Sequence, residues 1–427
     1  MAATALLSSW RDTRLGQRLF CAALAMLLVL SEVFSSNIQA TLPAFSHLCR
    51  VLLTGGAAAL LLFKCVFLTR YDNRAQYAIL AVALGYSGFA AAYGKDVWFF
   101  LIVLLGAAAK GVDLRAALKV YLITAAVGVA AVQLLHGFTG LVAFNWNARN
   151  WDYGYGHYNG YGARLLGVFM AWAWLRWDRM RWFDWAGLAA LGAYTLLGPG
   201  CRGAGLAMFL LLALFAAQRL LPAVFTSKAW LAFVVALYPL LTAASLLTGY
   251  LFDPNVPERT PLLARVNSLL SGRFEVWHHV FWATPYTHPE EDGIAAWYHG
   301  DMPSTFSWLG GMYTDGDVHH AIDNMYLALV MNKGVIGAVV VGCVAVFLLW
   351  RLCRGRHVGE VLCLTAMLFY FLMENKPFLL SADPFVLLLP CALLTPRGAP
   401  LPVLCPTPPP APPKKPKSKP KQAEALV

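Results

Sequence analysis

Arg202 stands in "GPGCRGAG", residues 198–205, and is the only charged residue between Asp184 and Arg219. A helix that starts at such a turn exposes its free N–H groups and the positive end of its dipole, and the glycines let a ligand approach the backbone. Helix N-terminus plus arginine makes an anion site. A tight Gly-Pro turn with a snorkelling arginine would carry the same letters. In "SGRFEVWHHVFW", Arg273 and Trp277 share one helical face at i, i+4, so guanidinium and ring can meet the same ligand or the same bilayer. Pairing of Arg273 with Glu275 or Asp292 is the simpler alternative.

Acid–base chemistry has its own candidates. "DVHHAIDNMYLALVMNKGVIG" brings His319, His320, Asp323 and Asn324 to the start of an apolar helix. One turn between a histidine and Asp323 lets the carboxylate orient an imidazole for proton transfer, while N-capping by Asp323 is the commoner use of such a residue. No third ligand stands at a recognisable metal spacing, so no metal site is expected. In "YGYGHYNGYGARLLG", residues 153–167, His157 and Asn159 lie among tyrosines and glycines. Aromatic rings can stack on sugar faces and amides can bond hydroxyls, although these residues are also ordinary turn formers. Glu374 is a further candidate base, or a partner that orients Arg202. Other ionisable residues at the ends of apolar runs are Glu32, Arg50, Lys95, Arg164, Lys333, Lys376 and Asp383. Charge at membrane depth tends to mark function, and Arg50, Lys95 and Lys376 read most simply as snorkellers.

These residues need a scaffold, and composition indicates which. The chain has 427 residues, 59% hydrophobic and 13% charged, against about 25% charged in soluble domains. Apolar runs long enough to cross a bilayer recur along it. They place about twelve spans near 17–36, 49–69, 75–93, 96–110, 117–136, 161–176, 183–199, 203–221, 229–252, 334–352, 358–374 and 377–395. The expected fold is an all-α polytopic membrane protein, with the first run retained as a helix rather than removed as a signal peptide. Residues 1–395 form one transmembrane domain. Residues 396–427, rich in Pro and Lys, form a disordered tail attracted to anionic lipid.

The net charge of +11 comes from short basic clusters between spans, so it reports topology rather than nucleic-acid binding. "WRDTRLGQR", "RYDNR", "KGVDLRAALK", "RWDRMR", "QRLLPAVFTSK" and "RLCRGR" fall at alternate connections. That pattern puts them and both termini in the cytoplasm, and leaves two long outer loops, 137–160 and 253–322. Nine scattered cysteines show neither a disulfide framework nor a zinc pattern. A transporter would need polar groups and broken spans at the midplane, where this chain is apolar. An enzyme acting on a lipid-linked substrate needs its polar groups at one leaflet beneath a covering loop, which suits the sequence better.

The order of the motifs adds a resemblance. GHxN entering a span, an arginine at a short outer turn, "SGR…W" in a long outer loop and "DNxYLxLxxxxGxIG" before the last spans resemble the O-antigen ligase and polysaccharide polymerase superfamily, over about residues 153–340. The resemblance implies glycosyl transfer at the outer face of the cytoplasmic membrane from an undecaprenyl-diphosphate-linked glycan, without cofactor, nucleotide sugar or metal. It implies diphosphate binding by Arg202 and Arg273 and activation of the acceptor hydroxyl by Asp323, His320 or His319, with Glu374 a further candidate from its place at a span end; the expected glycan contacts are His157, Asn159, Asn324 and Trp277. Implied partners are the lipid-linked oligosaccharide, membrane lipid and other polysaccharide-assembly membrane proteins. Two residues depart from the pattern: Cys201 stands where a small hydroxyl residue is usual. Asp323-Asn324 replaces the His-Asn pair of lipid A-core ligases, which favours a repeat-unit polymerase over a ligase. A lipid-linked glycan flippase is the reading from another class.

Overall fold

A computed structural model describes residues 13–93, 97–147, 150–282, 323–376, 378–387 and 394–395. Lipid offers no partner to backbone N–H and C=O groups, so a chain this apolar satisfies them within helices. In order these are α1 (Thr13–Glu32), α2 (Pro43–Phe63, prolonged by a π turn over Lys64–Leu68), α3 (Arg74–Tyr93), α4 (Val97–Ala108) and α5 (Leu114–Thr139). A two-stranded antiparallel hairpin follows, β1 (Trp146–Asn147) and β2 (Asn150–Trp151). Then come α6 (Tyr158–Arg176), α7 (Trp182–Leu197), α8 (Arg202–Leu220), α9 (Lys228–Leu251), α10 (Pro261–Leu269), α11 (Arg273–Trp282), α12 (Met325–Arg354) and α13 (Val358–Phe371).

Each of the first eleven expected spans overlaps one of these helices. Seven helices are long and apolar enough to cross a membrane, and α4 and α13 are shorter apolar helices. This is the pattern of a multi-pass membrane protein. Leu52, Val66, Val82, Ile123 and Leu134 point outward from their helices, as lipid-facing side chains do. The buried core runs through Phe20, Leu24, Tyr121, Phe169, Trp174 and Phe215. Around it α1 packs on α2 and α5, α6 on α5, α7 and α8, α8 on α13, and α9 on α11 and α12.

The expected twelfth span, 377–395, is where the structure differs. Residues 378–383 form turns and Pro384–Leu387 a single 3-10 turn, all ten at least partly shielded and 380–387 buried. The chain nevertheless goes from one end of the bundle to the other: Lys376 bonds Glu374 at one end, while the carbonyls of Leu394 and Thr395 accept from Gln76 and Arg351 at the other. Non-helical backbone is tolerated at this depth only inside protein. Here side chains satisfy it. Trp98 donates to the Phe378 carbonyl at 2.7 Å, Tyr121 to the Leu380 carbonyl at 2.6 Å, and Asp383 accepts from the Phe385 N–H at 2.8 Å. Hydropathy is blind to this, because apolar residues buried in protein and in lipid look alike.

Gly167 on α6 makes the passage possible, since a Cβ there would collide with the Ser381 carbonyl oxygen and come within 2.7 Å of the Tyr121 hydroxyl. Gly167→Ala gains about 1 kcal/mol of helix propensity but overpacks a fixed backbone at a cost that outweighs it. We expect a net loss of about 2 kcal/mol, read as a lower midpoint of thermal unfolding in detergent. An unchanged midpoint would show that the crossing segment yields.

α12 is broken at Gly334 (φ 69°, ψ 173°). The Tyr86 hydroxyl donates to the Lys333 carbonyl at 2.6 Å beside this break, and Gly337 leaves room for that hydroxyl.

Contacts between connections sort the bundle into two ends. Gln17 bonds Asp113, Arg115 approaches Asp178 at 3.9 Å, Lys110 pairs with Asp72 at 2.8 Å and Arg219 lies over Trp185. The basic clusters therefore gather at one end. At the other end the α7–α8 turn, the α5–α6 connection, the start of α11 and the segment after α13 meet. The tail from 396 and residues 283–322 lie outside the described residues.

Candidate functional site

At the less basic end a cleft of about 470 Å³ is lined by Asn150, Tyr158, Asn159, Pro199, Gly200, Arg202, Ser271, Arg273 and Met373, among others. Arg202 and Arg273, far apart in sequence, thus open into one cavity together with Asn159. A larger apolar cavity of about 840 Å³ lies between α9 and α12, with Tyr238, Pro239, Tyr326 and Trp350 in its wall and no charged residue lining it. Only the smaller cavity concentrates groups able to do chemistry.

Arg202 is the first residue of α8 and is exposed. Among the described residues it makes no hydrogen bond or ion pair. Gly198–Gly200 bring the chain back sharply, with Gly200 at φ 71°. Before Arg202, Cys201 is 1% exposed and donates its thiol to the Tyr158 carbonyl at 2.9 Å. Burial pushes that thiol up to about 12, so it stays protonated and donating. A Cβ on Gly162 would lie 2.5 Å from Cys201, so the glycine is what lets the starts of α6 and α8 meet.

Arg273, by contrast, is heavily engaged. Its guanidinium lies 3.4 Å from the Asp323 carboxylate and 3.7 Å from that of Glu374, with its side chain 17% exposed. It also donates to the backbone carbonyls of Asp323, at 3.1 Å, and Met373. The turn before it uses left-handed Ser271 (φ 61°) and Gly272 (φ 80°). Asn267 braces that turn: its amide oxygen accepts from Phe274 N–H at 2.8 Å and its amide nitrogen donates to Glu275 at 3.0 Å. Glu275 is therefore occupied by Asn267 rather than by Arg273, and Asp292 lies outside the described residues.

Four expectations change. Trp277 is 2% exposed and packs with Phe252, Phe274, Leu327 and Met331, beneath α11 rather than in the cleft. The i, i+4 spacing holds, but the ring takes the inward side of the helix. Asn324 is fully buried; it caps α12 by accepting from Leu327 N–H at 3.1 Å and donates to Ser245 at 3.0 Å. The cap is thus Asn324, which leaves Asp323 to pair with Arg273. Glu374 pairs with Arg273 instead of Arg202, and Lys376, expected to be a snorkeller, donates to Glu374 at 3.1 Å. Burial pushes the Glu374 carboxyl up against the opposing pull of Lys376, and the Asp323 charge adds to the rise. His319 and His320 lie outside the described residues.

His157 caps α6, its Nδ1 accepting from Asn159 N–H at 3.1 Å. Burial holds its pKa below the ordinary imidazole value, and the Lys376 charge lowers it further, so the ring is neutral at neutral pH.

The loop that carries His157 is organised by Asp152, which sequence reading passed over. This carboxylate accepts from the N–H groups of Asn145 and Gly154, both at 2.9 Å, and from the amides of Asn37 at 2.8 Å and Asn145 at 3.2 Å. Burial alone would raise its pKa, but the four hydrogen bonds outweigh burial and hold it below the usual value. The asparagines crowding "NWNARNWD" are the signal that could have found it. A depressed folded pKa means the stabilisation is present above the unfolded pKa and lost as pH falls through the folded one. Hydrogen exchange at Gly154 N–H should accordingly stay slow until below the ordinary aspartate range in the wild type. In Asp152→Asn it should be fast at neutral pH, with a local cost of about 1–3 kcal/mol.

Beneath this loop Arg164 pairs with Glu32 at 3.2 Å, donates to Gly160 and Ser31 carbonyls and stacks on Tyr155. It joins α1 to the start of α6. Asp383 and Arg50 likewise serve the fold, as a 3-10 cap and as a donor to the Phe34 carbonyl.

No protein-family model, curated protein or solved structure matches this chain.

Proposed function

We propose that the chain is a membrane glycosyltransferase that polymerises oligosaccharide repeat units carried on undecaprenyl diphosphate, at the outer face of the cytoplasmic membrane. The observation that carries this reading is the meeting of Arg202 and Arg273 in one cleft. Arg202, at a helix N-terminus, has no partner among the described residues, an arrangement suited to binding diphosphate. Basic connections at the opposite end support a cytoplasmic placement for that end and an outer placement for the cleft. In this reading the chain crosses the membrane about twelve times with both termini cytoplasmic, and the contacts of Leu394 and Thr395 at the end opposite Glu374 support a crossing after α13.

In this mechanism the acceptor hydroxyl oxygen attacks the anomeric carbon of the donor sugar. The bond from that carbon to the phosphate oxygen breaks, and undecaprenyl diphosphate leaves with the electron pair. Stabilising the charge that grows on the leaving group is the main electrostatic task, and it falls to Arg202, Arg273 and the α8 N-terminus. Asp323, whose side chain is 38% exposed, takes the acceptor proton when Arg273 turns toward the diphosphate. Glu374 is nearly buried between Arg273 and Lys376, which suits it to holding Arg273 rather than reaching a substrate. His157 and Asn159 present the sugar-contacting loop. The apolar cavity between α9 and α12 suits the polyprenyl tail.

Reconstitution of the purified full chain with lipid-linked repeat units alone tests the reading, with a polymer ladder as the expected product. Unchanged repeats would overturn polymerisation. Transfer appearing only when lipid A-core is added would identify a ligase, and transbilayer movement without new bonds a flippase.

A further inference from the structure

Trp146 and Trp151 are cross-strand partners on the hairpin, packed edge to face at 5.6 Å, yet 61% and 47% exposed. The hairpin is not loose: Asn150 donates its amide to the Gly198 carbonyl at 3.0 Å, fastening β2 to the turn that carries Arg202. On its other side Asp152 fixes the strand ends through Asn145 and Gly154. Asn150 itself lines the cleft. Two indoles with exposed ring surface therefore stand on a hairpin that is fastened beside the arginine cleft.

We propose that this pair is a carbohydrate-stacking platform that takes a pyranose ring of the glycan entering the cleft. The inference rests on the glycosyl-transfer reading above. A sugar ring has an apolar C–H face, which can stack on the exposed ring surface of Trp146 and Trp151. Exposed tryptophans at the basic end differ in setting. Trp182 begins α7 and Trp350 lies near the end of α12 under Arg354, positions typical of interfacial anchors.

Hydroxyl-radical footprinting of the wild-type chain in phospholipid vesicles reads the platform without mutation. Lipid-linked repeat units should lower oxidation of Trp146 and Trp151, while undecaprenyl diphosphate lacking sugar leaves it unchanged. Equal protection by the sugarless lipid, protection already complete in bare vesicles, or no protection by either lipid would overturn the proposal. In the reconstituted reaction, replacing both residues by Leu keeps apolarity and removes the aromatic face. It should raise KM for the repeat units by about tenfold with little change in kcat, and a Tyr pair should lose less. A Leu pair with wild-type KM would mean that the rings only staple the hairpin. If wild-type protein makes no polymer at all, the polymerase reading fails and the footprint still decides the platform.

Discussion

Arg202→Ala should leave single repeat units on the carrier lipid, with polymer formation reduced by about 10²–10³-fold and normal insertion and thermal stability. The magnitude follows from the loss of one donor to the developing diphosphate charge, about 2.7–4 kcal/mol. The absence of a stability cost follows from position: Arg202 is exposed and makes no hydrogen bond or ion pair with the described residues. Such a side chain changes stability by about 0.5 kcal/mol or less when removed. Arg202→Lys should recover part of the activity, because an ammonium restores charge but not the bidentate fork. Wild-type chain lengths in the alanine variant would sink the anion-site reading.

Arg273→Ala should abolish polymerisation too, but with a large loss of stability. The guanidinium sits between Asp323 and Glu374 and holds two backbone carbonyls. Removing it strands Glu374, whose side chain is 4% exposed, with Lys376 as its remaining cation. Breaking a buried pair costs about 3–5 kcal/mol; partial exposure of Arg273 and the presence of Lys376 put this case toward the lower figure. Thermal unfolding and a ladder assay on the same preparation separate the two effects. Adding Glu374→Gln to the alanine variant should return part of the stability and none of the activity. If Arg273→Ala unfolds at the wild-type temperature, the carboxylates do not hold that arginine in the resting protein.

The contrast between the arginines also suggests how the site works. In the proposed reaction Arg202, which has no partner among the described residues, meets the donor first, whereas Arg273 exchanges a carboxylate for the diphosphate. In that reading the exchange releases Asp323 when the donor is in place, which links donor binding to the appearance of a base near the acceptor.

Short motifs named residues that meet at one end of the fold but did not give their contacts. "DN" before α12 offered two capping residues one position apart, and the backbone geometry of Asn324 decided between them. Trp277 and Arg273 do share a helix, but spacing cannot tell which side of an amphipathic helix faces protein. Lys376 read as a snorkeller because its partner Glu374 was assigned elsewhere. Asp152 carried no motif, and its four donors come from Asn37, Asn145 and Gly154, brought together by folding.

The sequence alone determined the multi-pass helical class, that the first eleven apolar runs each overlap a helix, and the clustering of basic residues at alternate connections. These are local properties, fixed by hydrophobic run length and by charge beside each run. The tertiary structure decided that Arg202 and Arg273 share a cleft, that Arg273 is held by two carboxylates while Arg202 has no partner among the described residues, and that residues 378–387 run as shielded turns instead of a long helix. Those depend on which segments pack together, since close approach at Gly162 and Gly167, and the exchange of backbone for side-chain hydrogen bonds, exist only between parts of the chain far apart in sequence.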